Sequence, residues 1–244
     1  MIDVAVLGAP GRMGSTVVRA VEAAPDLRVV AKLDAGDPLE LRGATVAVDF
    51  TAPSATEANV HALIDAGIHV VVGTSGWTDD AVARVREHLA EAPGIGVLIA
   101  PNFALSAVLS MRFAALAAPY FESVEIVELH HPGKVDAPSG TAVHTAKGVA
   151  AARAAKGVGP SPDATTHDPD GARGAVIDGI NVHAVRLRGL VAHEEVLLGN
   201  PGEQLTIRTD SFDRESFMPG VLLGIREVAA HPGLTVGLDG YLSL

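Results

Sequence analysis

The amino-acid sequence predicts an α/β protein, with a doubly wound parallel sheet in its first half and a smaller α+β part with an open mixed sheet in its second half. Three observations support this prediction. Up to about Phe103, short runs rich in Val, Ile and Leu alternate with amphipathic helical patterns, as in parallel sheets that helices cover on both faces. A glycine-rich loop joins the first of these runs to the first helix. Beyond Phe103, apolar and polar residues alternate within the predicted strands, which favours a sheet with one exposed face.

The composition restricts the classes of function. The chain has 244 residues, of which 48% are hydrophobic and 19% are charged, so it can build one large or two modest cores. Its net charge of −11 disfavours nucleic acid and anionic membrane surfaces as partners. It has no cysteine, which excludes disulfides, thiolate nucleophiles and cysteine metal sites. The start resembles no signal peptide, and the longest apolar window contains Pro101, Asn102 and Arg112, so we expect a cytoplasmic protein without a membrane span.

The first half of the chain alternates strands with helices. Three helices are expected between the strands. The first follows Gly14, the second begins with a capping box of Ser54 and Glu57 and runs to about Gly67, and the third starts at Thr78. The ligands of parallel sheets bind beyond the carboxyl ends of the strands, so the loops after the first, second, fourth and fifth strands form the candidate site. The five expected strands cover residues 4–7, 27–33, 45–50, 68–72 and 96–99.

The second half mixes helices with strands that have one polar face. A stretch rich in Gly, Pro and Asp, residues 157–174, is expected to be an exposed loop. Pro219 is expected in the first turn of the final helix, where proline is tolerated. Helices are predicted at residues 105–118, 141–155 and 217–229, and strands at residues 123–129, 181–188, 194–198 and 204–209.

The glycine-rich loop indicates a dinucleotide site. Gly8, Gly11 and Gly14 lie between strand and helix, where glycine lets the backbone approach a pyrophosphate that the helix N-terminus stabilises. Asp34 follows the last glycine by about 20 residues, at the end of the second strand, where an acid would accept hydroxyls of a ribose. The loop is longer than the usual motif and contains Pro10, so an ordinary βα turn is the alternative. With strand, helix and Asp34 in register, dinucleotide binding is favoured.

The same loops bear on the choice of cofactor. The Asp34 carboxylate accepts ribose hydroxyls and repels a 2′-phosphate, which favours NADH, although Arg12 and Lys32 could weaken that preference. Residues 73–74 and 100–103 follow later strands, and their small side chains and carbonyls could line the ribose and the nicotinamide. Without further support, each of these two segments is interpreted as an ordinary loop whose residues favour turns.

The stretch H-H-P-G-K-V-D-A-P-S-G-T carries the most specific chemistry. His130 and His131 end a strand, and Lys134 adds a cation three residues later. Histidine transfers protons near neutral pH, and a cation offsets charge that develops on a hydride acceptor. The following helix would offer the amides of Gly140 and Thr141, which bind carboxylates well. The stretch therefore predicts a pocket for a small anion, most simply a carboxylate, beside a proton donor.

Two other interpretations of this stretch remain. It could be a solvated strand end followed by a capped helix. It could also be a zinc site, but such a site needs a third ligand, and none is near in sequence. No metal is therefore expected. The remaining histidines, at positions 61, 69, 88, 144, 167, 183, 193 and 231, are scattered and are interpreted as surface or core residues.

These motifs together resemble the 4-hydroxy-tetrahydrodipicolinate reductases, formerly called dihydrodipicolinate reductases, of the diaminopimelate and lysine pathway. The resemblance covers nearly the whole chain, and the His-His-x-x-Lys element is highly specific. Two further segments, K-L-D-A-G-D and V-A-H-E-E-V, look most like the actinobacterial members. The motifs are G-A-P-G-R-M-G at residues 8–14, D-F-T at 49–51, G-T-S-G at 73–76, A-P-N-F at 100–103 and E-L-H-H-P-G-K-V-D-A-P-S-G-T at 128–141.

The resemblance implies a fold and an assembly. Residues 1–103 would form a Rossmann-type cofactor domain that residues 212–244 complete, and residues 104–211 would form the substrate domain. Four copies would assemble through the open sheets into a homotetramer. The implied reaction is the loss of water from the 4-hydroxy substrate, a small dicarboxylate, with hydride transfer from NADH or NADPH to C4.

The resemblance also assigns residues. His130 would be the catalytic acid or base and Lys134 the proton donor, whereas His131, Gly140 and Thr141 would bind the dicarboxylate. The cofactor would contact Gly8, Ala9, Pro10, Gly11, Arg12, Met13, Asp34, Gly73, Thr74, Ser75, Ala100, Pro101, Asn102 and Phe103.

Three departures from the family pattern bear on these assignments. Gly133 stands where some members carry another histidine, so one basic contact would be missing. Ala35 follows Asp34 where NADPH-using relatives can place an arginine, which argues against a strict NADPH preference. Ser75 replaces the second threonine of G-T-T-G, a mild change.

Two rival functions remain. One is a dehydrogenase with the same two-domain plan that acts on another small carboxylate, and the other is a non-catalytic NAD-sensing protein.

Overall fold

The computed structural model describes residues 1–242 and divides the chain into two compact units. The first unit contains Met1–Ala104 and the chain from Arg214 onward, and the second contains Leu105–Asp213. The first unit has a six-stranded sheet and the second a five-stranded sheet. The predicted fold class, a doubly wound parallel sheet with a smaller domain built on a mixed sheet, is confirmed.

The sheet of the first unit is parallel and has the order β11-β5-β4-β3-β1-β2. Its central strands are buried on both faces, which explains their uninterrupted apolar sequences. The edge strand β11 was not predicted from the sequence, because its four residues carry little apolar pattern of their own. It pairs with β5 in register Gly233↔Gly96. The strands are β1 (Ile2–Leu7), β2 (Leu27–Leu33), β3 (Val46–Asp49), β4 (His69–Val72), β5 (Gly96–Ile99) and β11 (Gly233–Val236).

Four helices cover this sheet: α1 (Arg12–Ala23), α2 (Thr56–Asp65), α3 (Asp79–Glu91) and α6 (Met218–Glu227). The predicted start of α3 is confirmed, since the hydroxyl of Thr78 accepts the amide of Ala81 at 3.2 Å. The predicted capping box of Ser54 and Glu57 is wrong. The helix α2 begins after Ala55 without a side-chain cap, and Glu57 instead pairs with Arg84 on α3 at 2.6 Å, because a guanidinium offers it two charged donors.

The strand order places the nucleotide-binding loops. From β1 the chain goes outward to β2 on one side and returns through β3 on the other, so the order reverses at β1. Such a reversal opens a crevice beyond the carboxyl ends of the strands, because the helices after the neighbouring strands lie on opposite faces. The loops after β1, β2, β3, β4 and β5 therefore share one edge of the sheet.

The second unit has a mixed sheet of order β10-β9-β6-β8-β7, in which β6 runs parallel to β8 and antiparallel to β9. One face packs on two helices through apolar residues such as Val124, Ile126 and Val196. The short strand β7 was not predicted from the sequence. The elements are α4 (Leu105–Ala117), β6 (Ser123–His130), α5 (Gly140–Ala155), β7 (Ala175–Ile177), β8 (Ile180–Arg186), β9 (Ala192–Asn200) and β10 (Glu203–Ser211).

A buried arginine ties the start of this sheet to α5. The side chain of Arg153, at the C-terminal end of α5, is 4% exposed and pairs with no carboxylate within residues 1–242. Its guanidinium donates to the carbonyl oxygens of Ala118, Phe121, Glu122 and Gly159, at 3.3, 2.6, 2.9 and 2.9 Å. These carbonyls belong to the connection that precedes β6 and to the loop that follows α5.

None of the helices in residues 1–242 is long and apolar enough to cross a membrane.

Candidate functional site

The loop after β1 is shaped by close backbone packing. Gly8 has a φ of +74°, and a Cβ added to it would lie 2.4 Å from the carbonyl oxygen of Phe50. A Cβ on Gly14 would lie 2.0 Å from the carbonyl oxygen of Gly8. The first turn of α1 contains no acid, and Gly11 provides no side-chain cap. The amides at this helix end are therefore available to an anion, and the site fits a pyrophosphate.

The carboxylate predicted to accept ribose hydroxyls lies at the end of β2. One oxygen of Asp34 accepts the amide of Ala35 at 2.7 Å, and the amide of Asp34 donates to Asp37 at 2.8 Å. Beside them is a cavity of about 440 Å³ that Pro10, Arg19 and Lys32 also line. These contacts fix Asp34 next to the glycine-rich loop, in a cavity large enough for part of a nucleotide.

A buried aspartate connects the loops after β3 and β4. Asp49 is fully buried, and its carboxylate accepts hydrogen bonds from Thr51 and Thr74 at 2.8 Å each and from Asn59 at 2.8 Å. The Asp49 carboxylate therefore holds Thr74, one of the predicted cofactor contacts, against the end of β3. The sequence motif D-F-T contains this aspartate, but its role depends on partners that lie up to 25 residues away.

An aromatic side chain lies beneath the same loops. A Cβ on Gly73 would lie 2.1 Å from the ring of Phe50, so only glycine allows this approach. The rings of Phe50 and Phe103 are 5.9 Å apart. In the loop after β5, the side chain of Asn102 accepts the amide of Ala104 at 2.9 Å. The structure thus brings residues 8–13, 34, 73–75 and 100–103 to one edge of the sheet in the first unit.

The strand β6 ends at His130, whose imidazole contacts a buried carboxylate. The Nδ1 atom of His130 lies 2.5 Å from Oε2 of Glu128, which is fully buried. Burial acts to raise the pKa of Glu128, but hydrogen bonds from Arg186 and His130 outweigh it and lower that pKa. The carboxylate is therefore ionised and can only accept, so Nδ1 donates. Desolvation lowers the pKa of His130, and the contact with Glu128 only partly opposes it. The ring is thus a neutral imidazole whose Nε2 can take up a proton.

Lys134 and the start of α5 form an anion-binding arrangement. The Nζ atom of Lys134 lies 2.8 Å from Oδ1 of Asp136. The pKa of Asp136 is lowered chiefly by this hydrogen bond, with a smaller contribution from the backbone amide of Gly140. The Asp136 carboxylate thus occupies the place of an anion beside the Lys134 ammonium and the amide of Gly140 at the start of α5. The N-cap of α5 is Ser139, whose hydroxyl accepts the amide of Ala142 at 3.1 Å.

The predicted substrate-binding residues differ in their surroundings. Gly140 and Thr141 form the first turn of α5, as expected. The side chain of His131 is exposed at the start of the turn, and its carbonyl accepts the amide of Lys134 at 3.2 Å. A Cβ on Gly133 would lie 3.3 Å from Nδ1 of His131, so the imidazole lies against this glycine. His130 and the amide of Ser139 at the start of α5 both contact Glu128, and the exposed His131 lies on the solvent side of this turn.

A second buried carboxyl group lies next to Glu128. Glu194 on β9 is directly opposite Glu128 on β6 and is 3% exposed. Desolvation raises the pKa of Glu194 to about 7, and the nearby charge of Glu128 adds to the increase. Thr145 has one hydroxyl proton and two oxygen neighbours, Oε1 of Glu194 at 2.8 Å and the carbonyl of Thr141 at 3.0 Å. A protonated Glu194 satisfies both contacts, because the acid donates to Thr145 and Thr145 donates to the carbonyl.

The raised pKa makes the stability of the second unit depend on pH. Between about pH 4.5 and pH 7, Glu194 is protonated in the folded state and ionised in the unfolded state. Its contribution to the free energy of unfolding therefore falls as pH rises through this window, by up to about 3 kcal/mol, and is constant above it. Glu194→Gln should remove this dependence, so that its stability relative to the parent increases from about pH 5 to about pH 7.5. Denaturant unfolding at both pH values measures this difference, and a constant difference would contradict it.

The sequence did not reveal the groups behind His130. Alternation along β6 places Glu128 on the same face as His130, so its proximity could have been inferred from the period of two. Arg186 and Glu194 lie 58 and 66 residues from Glu128 in sequence and come close only through strand pairing.

Within residues 1–242, no cluster of three or more His, Cys, Asp or Glu side chains could hold a metal ion.

Comparisons with known proteins agree along the whole chain. A family profile described as "Dihydrodipicolinate reductase, N-terminus" matches residues 2–103, and one described as "Dihydrodipicolinate reductase, C-terminus" matches residues 106–242. The 4-hydroxy-tetrahydrodipicolinate reductase of Beutenbergia cavernae is 69% identical, over 100% of this chain and 99% of its own. The reductase of the same name from Streptomyces avermitilis is 60% identical, over 100% and 98%.

A solved structure shares the fold. It is described as dipicolinate-bound dihydrodipicolinate reductase from Paenisporosarcina sp. TG-14 and is 36% identical in sequence. The similarity covers 99% of this chain and 100% of that one, with a TM-score of 0.89. That relative binds dipicolinate, as its description states.

Proposed function

The chain belongs to the dihydrodipicolinate reductase family, and from this premise we propose that it reduces 4-hydroxy-tetrahydrodipicolinate to tetrahydrodipicolinate with loss of water, in diaminopimelate and lysine biosynthesis. The observation that carries the proposal is the Asp136 carboxylate between Lys134 and the start of α5, beside the neutral imidazole of His130. A substrate carboxylate can replace that of Asp136 on the same cation and amides. A cytoplasmic location, where nicotinamide nucleotides are supplied, fits this role.

The site in the second unit supports the acid–base chemistry that the reaction requires. His130 acts as the acid or base, because its Nδ1 is held by Glu128 and its Nε2 can take up and release a proton. Lys134 donates a proton and offsets the negative charge that develops as the acceptor is reduced. Gly140, Thr141 and His131 bind the carboxylates. Because Gly133 offers no side chain, these groups lack the additional basic contact that a histidine at that position would provide.

The site in the first unit fits a nicotinamide nucleotide, which supplies the hydride when bound. The glycine-rich loop and the first turn of α1 would hold the pyrophosphate, because glycine at positions 8 and 14 is required by backbone contacts below 2.5 Å. Asp34 would accept the ribose hydroxyls. Residues 73–75 and 100–103 would line the nicotinamide half, in loops that Asp49 and Phe50 hold in place.

The nucleotide preference depends on charges around the cavity beside β2. Asp34 and Asp37 both carry carboxylates there, and Lys32 is paired with Glu22 at 2.7 Å. We propose that the enzyme uses NADH, with NADPH as a weaker or equal donor, because the carboxylates of Asp34 and Asp37 repel a 2′-phosphate, and Arg19, whose guanidinium donates to the hydroxyl of Thr16, offsets only part of that repulsion. Asp34→Ala should weaken NADH binding by about 10-fold and NADPH binding less, since it removes a hydrogen bond and a repulsive charge. Fluorescence titration measures the affinity of the parent and the variant for each nucleotide. Equal losses of affinity for NADH and NADPH would exclude a role for Asp34 in binding the ribose hydroxyls.

The reaction itself is tested with substrate made in situ. The preceding synthase condenses pyruvate with aspartate semialdehyde, and oxidation of NADH or NADPH is followed by absorbance. Oxidation that depends on both carbon compounds is the expected result. A protein that binds NADH but oxidises neither nucleotide would contradict the proposed reaction and leave a different small carboxylate as its substrate.

We further propose that four copies assemble through the open face of the second sheet. On this face, Val127, Leu129 and Leu197 alternate with the core residues and are only partly buried. Such residues favour a sheet-to-sheet contact. Light scattering on the purified protein should give the mass of four chains, about 100 kDa for a chain of 25.0 kDa. The mass of one chain would exclude the assembly.

A further inference from the structure

The Glu128 carboxylate contacts three different parts of the proposed substrate site. It is fully buried and accepts four hydrogen bonds. Two come from the guanidinium of Arg186, both at 2.8 Å, one from Nδ1 of His130 at 2.5 Å and one from the amide of Ser139 at 3.1 Å. Each oxygen therefore accepts two donors, and the charge is fully hydrogen-bonded.

Arg186 connects the Glu128 carboxylate to the loop that carries Lys134. Besides Glu128, its guanidinium donates to the carbonyl of Asp136 at 2.7 Å. The amide of Leu187 donates to the carbonyl of His130 at 3.0 Å, so β8 also holds the end of β6. The loop between β6 and α5 is thus held at three points, which are the imidazole of His130, the carbonyl of Asp136 and the amide of Ser139.

The contact with His130 also selects one form of the imidazole. An ionised carboxylate can only accept, so a proton is kept on Nδ1, and Nε2 is left to exchange protons. The charged groups that face this ring are Glu128, Lys134 and Arg186. Of these, only Glu128 favours the protonated form, because the other two are cations.

We propose that Glu128 is a positioning residue for the reduction: it holds His130 in the Nδ1-protonated form and fixes the loop and helix end that present Lys134 and the carboxylate-binding amides. This inference rests on the proposed function, since that function gives His130 and Lys134 their roles. Glu128 itself does not exchange a proton with the substrate. It acts through His130, as the buried carboxylate does in other carboxylate–histidine pairs.

The first experiment changes the charge of Glu128 and keeps its shape. Glu128→Gln should lower kcat by about 100-fold and leave NADH affinity unchanged, because the nucleotide site belongs to the other unit. Long-range proton–nitrogen NMR of the histidine rings, assigned with a His130→Gln variant, reads the imidazole directly. The parent protein should show Nδ1 protonated, and Glu128→Gln should shift the titration of His130 to lower pH by about one unit, because a favourable charge is lost.

The neighbouring carboxyl group provides a matched control. Glu194→Gln makes the same change, on the same face of the sheet and in the directly opposite position. Because burial raises the pKa of Glu194 to about 7, this group is mostly neutral at pH 6, where the variant should retain the kcat and KM of the parent and the protonation of His130. Equal losses in both variants would show that any change in this layer disturbs the sheet, and would overturn a specific role for Glu128.

Loss of Glu128 leaves Arg186 without its carboxylate and could prevent folding. The double variant Glu128→Gln/Arg186→Gln removes both charges and should still show the altered His130 titration. A folded variant in which His130 keeps its form and its titration would overturn the proposal. Full turnover of His130→Gln would instead contradict the proposed role of His130, whatever the NMR of the Glu128 variants shows.

Discussion

Replacing Lys134 by alanine is expected to lower kcat by about 100- to 1,000-fold while NADH binding is retained. The ammonium of Lys134 contacts the Asp136 carboxylate in the second unit, whereas the nucleotide loops belong to the first. General-acid catalysis by a positioned group contributes a factor of this size, and loss of a charge-assisted contact with a carboxylate should also raise KM for the substrate.

The measurement needs a control that removes a lysine without touching the site. Lys147 lies on α5 and is exposed, so Lys147→Ala should retain kcat and KM. Turnover and NADH titration are measured for both variants. Parent-like turnover in Lys134→Ala would remove this residue from the mechanism, and a parallel loss of NADH binding would indicate a general change of structure.

Replacing Arg153 by methionine is expected to destabilise the second unit by about 3 to 5 kcal/mol. The guanidinium donates to four carbonyl oxygens in a site that is 4% exposed. Methionine has similar length but no donor, so buried carbonyl groups would be left without these hydrogen bonds. Desolvation lowers the pKa of Arg153 but does not make it neutral, so charged donors are lost.

Denaturant unfolding at one protein concentration compares this variant with Arg112→Met, because assembly would add to the measured stability. Arg112 lies on α4 and is exposed, so its replacement should change the free energy of unfolding by less than about 0.5 kcal/mol. A loss below about 1 kcal/mol in Arg153→Met would contradict a structural role for the four contacts.

Sequence patterns predicted correctly the elements whose signals are local. The five strands of the first half were located by their apolar runs, and the central strands show no polar alternation because both of their faces are buried. Thr78 was identified as the start of α3, because an N-cap needs only its own side chain and an amide three residues later. The glycine-rich loop and the His-His-x-x-Lys stretch were found for the same reason, since their chemistry lies within a few consecutive residues.

Features that depend on partners distant in sequence became visible only in the folded chain. The capping box of Ser54 and Glu57 did not form, because Arg84 from the next helix takes the carboxylate. The strand β11 exists because β5 offers it a free edge. The charge states of Glu128 and Glu194 differ, although both are buried glutamates on neighbouring strands. Glu128 faces the guanidinium of Arg186, whereas Glu194 faces the hydroxyl of Thr145 and a neighbouring negative charge. Strand pairing and the packing of α5 on the sheet together created that difference.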